Sequence, residues 1–223
     1  MEMFESALDR RRMLATVAGG ALAMAVVRPV WAMPANRVFS VSRKGSVIGT
    51  HAIEFAGDPQ HLKVATRIEL AVKIAFVTAY RYEQRGEDVW QSDVLVRTRI
   101  ETNDDGEKSV VIAESSDGQL AVQGPKGSYA TPLGAMTDLS FWNRAITQGA
   151  PVIDSQSGDL IDITVKPSVP EKLEVLGRTI ETERFPMAGT RGRSGTVWYD
   201  SEGNLVRAIV LTRGETLTYE LVG

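Results

Sequence analysis

No cysteine occurs in the 223 residues. That excludes disulfides, thiolate metal centres, a thiol nucleophile and the lipid-modified cysteine of a lipoprotein. Histidine is almost as scarce. His51 and His61 stand alone, separated by the turn-forming Gly57-Asp58-Pro59, and two such residues do not make a zinc site. No metal and no other cofactor is expected. Basic residues do not exceed acidic ones (25 Lys and Arg against 28 Asp and Glu, net charge −3), so the chain has no phosphate-tracking surface and nucleic acid is not an expected partner. No Gly-x-Ser-x-Gly elbow is present. The serines, histidines and aspartates scattered through the chain identify no triad, and carboxylate pairs for glycoside chemistry are invisible in one dimension.

Two motifs invite a chemical reading and do not hold it. Asp154-Ser155-Gln156-Ser157-Gly158-Asp159 has oxygen ligands but lacks the closing acid of a calcium loop, and reads as a turn. Gly189-Thr190-Arg191-Gly192-Arg193-Ser194-Gly195 has the glycines of a phosphate cradle. Thr196-Val197-Trp198-Tyr199 follows it, which is a strand pattern where a cradle opens a helix. It reads as a mobile basic hairpin loop able to meet an anionic head group.

The strongest positive signal lies at the start. Asp9-Arg10-Arg11-Arg12-Met13-Leu14 precedes a weakly apolar stretch, Leu14 to Val27, and Val30 and Ala32 suit cleavage after Ala32. A basic start, an apolar middle and small residues at the cut make an export signal. The stretch is shorter than the roughly 20 apolar residues of a membrane span. The Arg10-Arg11 pair is similar to the twin-arginine class, whose passengers cross folded; Met13 replaces the expected Phe and no Lys follows Leu14. An ordinary secretory signal and a retained anchor are the open alternatives. The expectation is a periplasmic protein that meets the export machinery through residues 1–32. Removing those of 223 leaves 191, a single domain, 33–223, with net charge near −4 and no stable membrane span.

After Asn36 a period of two dominates, which predicts strands. Val47, Gly49, His51, Ile53 and Phe55 share one face. From Leu62 to Tyr82 the even positions are apolar or aromatic apart from Thr66 and Thr78, while Lys63, Arg67, Glu69, Lys73 and Arg81 occur at odd ones. That is one very long strand, or two joined without a change of face. Asn103-Asp104-Asp105-Gly106 predicts a tight hairpin. Further strands are predicted at 94–101, 109–114, 160–165, 173–176, 179–185, 196–199, 205–212 and 216–221. The exception is 138–148, where Asp138 is placed to cap a short helix carrying Leu139, Phe141, Trp142, Ala145 and Ile146, stopped by Gly149 and Pro151. The fold class is mainly β: a single curved antiparallel sheet, half-barrel or open barrel, with one short helix. His51 is read as a half-buried strand residue and His61 as a loop residue.

Ile48-Gly49-Thr50-His51, Val72-Lys73-Ile74, Tyr80-Arg81-Tyr82-Glu83, Phe141-Trp142-Asn143 and Trp198-Tyr199-Asp200 carry a resemblance spanning nearly the whole of 33–223. The chain resembles a family of exported bacterial β-proteins known as a domain of unknown function. Its look is similar to the half-barrels of periplasmic lipid and lipoprotein carriers. That resemblance transfers no catalytic residues and implies a fold only.

A curved sheet must cover its concave face with a helix, a ligand or a partner. The leading expectation is therefore a non-enzymatic protein that holds an apolar, lipid-like molecule there. Tyr80, Tyr82, Trp90, Trp142 and Trp198 are the candidate pocket residues, since aromatics with polar tips suit the mouths of ligand cavities. Two other readings stand beside it: an envelope module receiving a protein partner on the same surface, and a hydrolase with dispersed catalytic residues, which requires His51 or a carboxylate in a polar cleft.

Overall fold

The computed structural model describes residues 33–74, 76–190 and 192–223. Arg10, Arg11 and the rest of the segment read as an export signal lie outside the described residues. The first half of the domain is a run of antiparallel hairpins: β1 (Arg37–Arg43), β2 (Ser46–Asp58), β3 (His61–Ile74), β4 (Val77–Gln91), β5 (Val94–Asp104), β6 (Glu107–Ser116), β7 (Gln119–Gly124) and β8 (Gly127–Pro132). Three two-residue strands follow, β9 (Met136–Thr137), β10 (Val152–Ile153) and β11 (Leu160–Ile161). Then come β12 (Ile163–Val165), β13 (Val169–Val175), β14 (Arg178–Gly189), β15 (Ser194–Asp200), β16 (Leu205–Thr212) and β17 (Glu215–Leu221).

Among the described residues, all of these except β9 to β11 form one antiparallel sheet of 14 strands, in the order β12-β14-β15-β16-β17-β1-β2-β3-β4-β5-β6-β7-β8, with β13 also on β14. The C-terminal β17 pairs with the N-terminal β1, Val41 opposite Tyr219. The outer edges do not pair, so the sheet is curved and open, not a closed barrel.

The long alternation resolves into two strands. Leu62, Val64, Thr66, Ile68 and Leu70 are buried along β3, and Tyr82, Gln84, Asp88 and Trp90 along β4. At the hairpin end Ile74 stands opposite Val77, an even position against an odd one. A bulge then leaves Ala79 without a counterpart, and beyond it Val72 faces Tyr80 and Leu70 faces Tyr82. Without that extra residue β4 would have turned its apolar set outward. The Asn103–Gly106 hairpin forms as expected. Asp105 and Gly106 both take positive φ (52° and 99°), and Asn103 Oδ1 accepts the Gly106 N–H at 2.9 Å.

Residues 133–162 lie on the apolar face of the sheet. Met136, Leu139, Ile146, Val152, Ile153 and Ile161 from this plug join Phe39, Ile53, Ile100, Leu120 and Tyr199 from the sheet in one buried cluster. The expected helical segment is present as two 3-10 turns, Ser140–Trp142 and Arg144–Gln148. Asp138 is not its cap; the Asn143 side chain caps the second turn by accepting the Ala145 N–H at 3.0 Å. Gly86 lets the plug in: a Cβ there would stand 3.0 Å from Leu139 Cδ1. Tyr199 O–H donates to the Phe141 carbonyl at 2.8 Å, tying plug to sheet.

Asp88 faces this interior, 4% exposed, with Thr98 O–H donating to it at 2.5 Å. Burial pushes its carboxyl up to about 6, against the lowering pull of the Thr98 bond. Because the folded value lies above the unfolded one, the stability this group contributes is present below about pH 4 and is lost as pH rises to about 6. Asp88→Asn removes that slope. The variant is expected to gain on the parent by about 1–3 kcal/mol between pH 4 and pH 7, whatever constant offset the amide brings. Urea denaturation at the two pH values measures it, and parallel stability curves for the two proteins would refute it.

Candidate functional site

The plug does not fill the whole apolar face. A cavity of about 330 Å³ remains between it and the sheet. Ile68, Leu70 and Val72 from β3, Ile48 from β2, Val210 from β16 and Leu217 from β17 form its apolar walls. Its inner end is polar: His51, Gln84, Asp138 and Ser155. Its outer end is framed by Arg43, Tyr80, Arg213 and Glu215, near the β1–β2 and β16–β17 turns.

The inner polar groups are held by one another. Gln84 Nε2 donates to Thr102 Oγ1 and Ser155 Oγ, both at 2.9 Å. Arg193 pairs with Asp154 and stands 3.5 Å from Asp138, while Asp138 accepts the Ser155 N–H at 3.0 Å. Burial first, then the neighbouring Asp154, raise the Asp138 carboxyl to about 6, and Arg193 opposes both. His51 is 4% exposed and its Nε2 has no hydrogen-bond partner. Burial lowers it to about 4, so the imidazole is neutral near pH 7. Its ring neighbours are Phe39 at 6.0 Å and Tyr219 at 5.7 Å, the latter edge-on.

The rim is a second network. Tyr80 O–H donates to Asp104 at 2.7 Å, and Arg213 donates to the same carboxylate at 2.5 Å. Burial and that carboxylate push the Tyr80 phenol up to about 12. Gln156 Nε2 donates to Tyr82 Oη at 3.0 Å and its Oε1 accepts from Arg213 at 2.9 Å. Arg43 pairs with Glu215 at 2.7 Å.

Of the five aromatics named from sequence, Tyr80 and Tyr82 line the cavity. The other three do not. Trp90 sits eight residues beyond Tyr82 on β4, roughly 26 Å at strand rise, and is 2% exposed. Trp142 packs edge-on against it at 5.3 Å and against Phe55 at 5.1 Å, so Trp90 is core and the half-buried Trp142 and Phe55 pack against it. Trp198 faces the other side of the sheet from Val197 and Tyr199. It packs with Leu173 and Val206, its N–H bonded to Glu171 at 3.1 Å and Arg207 5.3 Å over its ring. His51 is fully buried rather than half-buried. β14 and β15 pair as a hairpin with Ala188 opposite Ser194, but Arg193 turns inward to the plug carboxylates instead of outward to solvent.

Gln84, Asp138, Ser155 and Arg193 line or close the site without having been expected there from sequence. Gln84 has a signal: it continues the inward parity of β4. Among the described residues no three His, Asp or Glu side chains converge as a metal site needs, and no helix is long and apolar enough to cross a membrane.

Residues 39–222 match the family described as Domain of unknown function (DUF6134). No curated protein matches the chain. Among solved structures the fold is similar to a beta-barrel-like protein of the domain of unknown function DUF1849 from Brucella abortus, at 12% identity and a TM-score of 0.61, over 86% of this chain and 97% of that one. That likeness carries the fold alone.

Proposed function

We propose that this chain, which belongs to the DUF6134 family, binds an apolar, lipid-like molecule in the cavity between sheet and plug, in the periplasm, after export through the Arg10-Arg11 signal. The observation that supports the reading is the cavity itself: an apolar-walled space of about 330 Å³ with one open, charged rim and one polar end. That volume falls within the roughly 300–1,000 Å³ of small-molecule sites, whose walls are mostly apolar with a few polar groups for orientation. An amphiphile with a polar group near His51 and Gln84 and its apolar part along Leu70 and Val72 fits this distribution. The hydrolase reading loses support from His51. Its Nε2 meets no carboxylate or hydroxyl partner, so no group orients that nitrogen as a base. The carboxylate this reading also allowed is present as Asp138, raised to about 6 at the polar end, where Arg193 and the Ser155 N–H hold it.

Native mass spectrometry of the protein taken from a periplasmic fraction, with solvent extraction of the same sample, tests the reading. An apolar adduct that appears in the extract is expected. A protein carrying no such molecule, and taking up none from a lipid extract, would overturn it.

A further inference from the structure

Beyond the last cross-strand partners, the β3–β4 hairpin becomes a free tongue. β2 and β3 pair no further than Gly49 opposite Leu70, and a groove opens between Ser46–Gly49 and Ala71–Lys73. At Gly49, the last paired residue, the two strands still approach closely: a Cβ there would lie 1.9 Å from the Glu69 carbonyl oxygen. On the other side β5 ends with Asp104 opposite Tyr82, and the Asp105 N–H donates to the Arg81 carbonyl at 2.8 Å. Val77 to Tyr80 therefore extend past the sheet by roughly 13 Å at strand rise.

This tongue exposes what a soluble surface normally buries. Phe76 is 103% exposed and Val77 69%, and Val47, on β2 across the groove from Ala71–Lys73, is 70% exposed. Flanking them are Lys73 on the tongue, Lys44 in the β1–β2 turn and Arg43 below it; of the acids at this end Glu215 pairs with Arg43 and Lys44, Asp104 pairs with Arg213, and Asp105 and Glu107 lie in the β5–β6 turn. The turns at the opposite end of the sheet carry Asp58, Asp93, Asp117 and Glu202. The tongue end is thus apolar-tipped and mixed in charge, with Lys73 on the tongue itself. The cavity rim, Arg43, Tyr80, Arg213 and Glu215, lies at that same end.

We infer that this end docks on an anionic lipid bilayer, with Phe76 and Val77 entering the boundary between head groups and acyl chains and with Lys44 and Lys73 meeting the head-group phosphates. Two lysines near an anionic surface are drawn to its phosphates, and an exposed Phe and Val supply the apolar area that surface-seated segments bury. A bilayer is favoured over a protein because the apolar residues sit on a projecting tip. A tip can enter a fluid layer but offers no broad face for a standard protein interface. Docking there turns the cavity rim toward the membrane. It does not require the cavity to hold a ligand.

The absence of cysteine makes the test direct, since one introduced thiol takes one label. The full chain is labelled with an environment-sensitive nitrobenzoxadiazole at Thr78→Cys on the tongue, or at Gln119→Cys on the opposite end, both exposed positions. Each is mixed with vesicles of phosphatidylglycerol and phosphatidylcholine, or of phosphatidylcholine alone. The expected result is a blue shift and at least a twofold rise in emission from residue 78 with the anionic vesicles, and no change from residue 119. Lys44→Glu with Lys73→Glu, or Phe76→Asp with Val77→Asp, weakens that response at least tenfold. A silent label at residue 78 while the protein sediments with vesicles would overturn the inference, as would an equal response to phosphatidylcholine alone. So would a response that appears only when membrane proteins are present. A protein with no extractable ligand that still gives the residue-78 response would sink the carrier reading and leave the docking surface standing.

Discussion

Arg193→Ala is expected to lower the folding stability by about 3 kcal/mol at pH 7, the largest loss for a single side chain outside the hydrocarbon core. Asp154 is 5% and Asp138 18% exposed at the side chain, both on the plug, and Arg193 reaches both from the β14–β15 loop. Removing one partner of a buried ion pair typically costs about 3–5 kcal/mol, because the other charge stays desolvated. The lower end applies. Asp154 keeps the Gln156 and Ser157 amides at 2.9 and 2.8 Å, Asp138 keeps the Ser155 amide, and Arg193 itself is 31% exposed. For a domain of this size the melting temperature should fall by about 6–12 °C. The pH dependence identifies the cause. Without Arg193 the Asp138 carboxyl rises further above the value of about 6 it has in the parent, so a proton taken up above pH 6 relieves the repulsion from Asp154. The deficit should shrink from pH 7 to pH 5, and Arg193→Ala combined with Asp154→Asn should recover part of it. Thermal denaturation followed by circular dichroism measures all three proteins. A melting point for Arg193→Ala within about 2 °C of the parent would show that the plug is not held by this pair.

The same cluster marks the limit of what the amino-acid order makes legible. Alternation reveals a face, and the sheet, its turns and the inward set from Leu62 to Leu70 are readable on that basis from the residues alone, whereas Phe76 and Thr78, which share that parity, lie exposed on the β3–β4 hairpin. Alternation cannot follow a face once polar residues occupy it. The inward parity of β4 continues through Gln84, Gly86, Asp88 and Trp90, but a glutamine, a glycine and an aspartate conceal it. Gly86 is the clue there: a glycine at an inward strand position signals that another part of the chain approaches closely, here Leu139 of the plug. The plug is the least readable part. Strands of two residues and 3-10 turns have no period, and the parallel pairing of β9 with β10 joins positions sixteen apart, Met136 and Val152. Parity also fixes the side of a sheet without fixing the distance along it. It puts Trp90 and Tyr82 on one face, correctly, yet does not distinguish the one under the plug's aromatic end from the one beside the cavity. Trp198 fails for a different reason. Both sides of that part of the sheet are covered, the second by Leu173 and Val206, so its apolar character does not mark the cavity side. Arg193 is the opposite case, a charge that reads as solvated because its partners are 39 and 55 positions away in sequence.

Filling the cavity should abolish ligand binding while leaving the fold in place. Val72 and Val210 stand on different strands, β3 and β16, line the same space, and are only half-buried because the cavity adjoins them. Val72→Trp with Val210→Trp puts two indoles into a volume of about 330 Å³ from its open side, where extra bulk displaces empty space and not packed neighbours. Overpacking a filled core costs about 1–3 kcal/mol; here most of that strain is avoided, and the melting temperature should move by a few degrees at most. Each ligand methylene kept out of an apolar site forfeits about 0.8 kcal/mol. Shutting out four of them removes about 3 kcal/mol, which weakens binding by a factor of about 150. Titration with a fluorescent long-chain acyl probe reads this directly, and the vesicle response of the label at residue 78 serves as the internal control. The double variant should lose the probe and keep the membrane. If it bound the probe as the parent does, the ligand would lie elsewhere on the sheet and the cavity would be a packing defect between plug and walls.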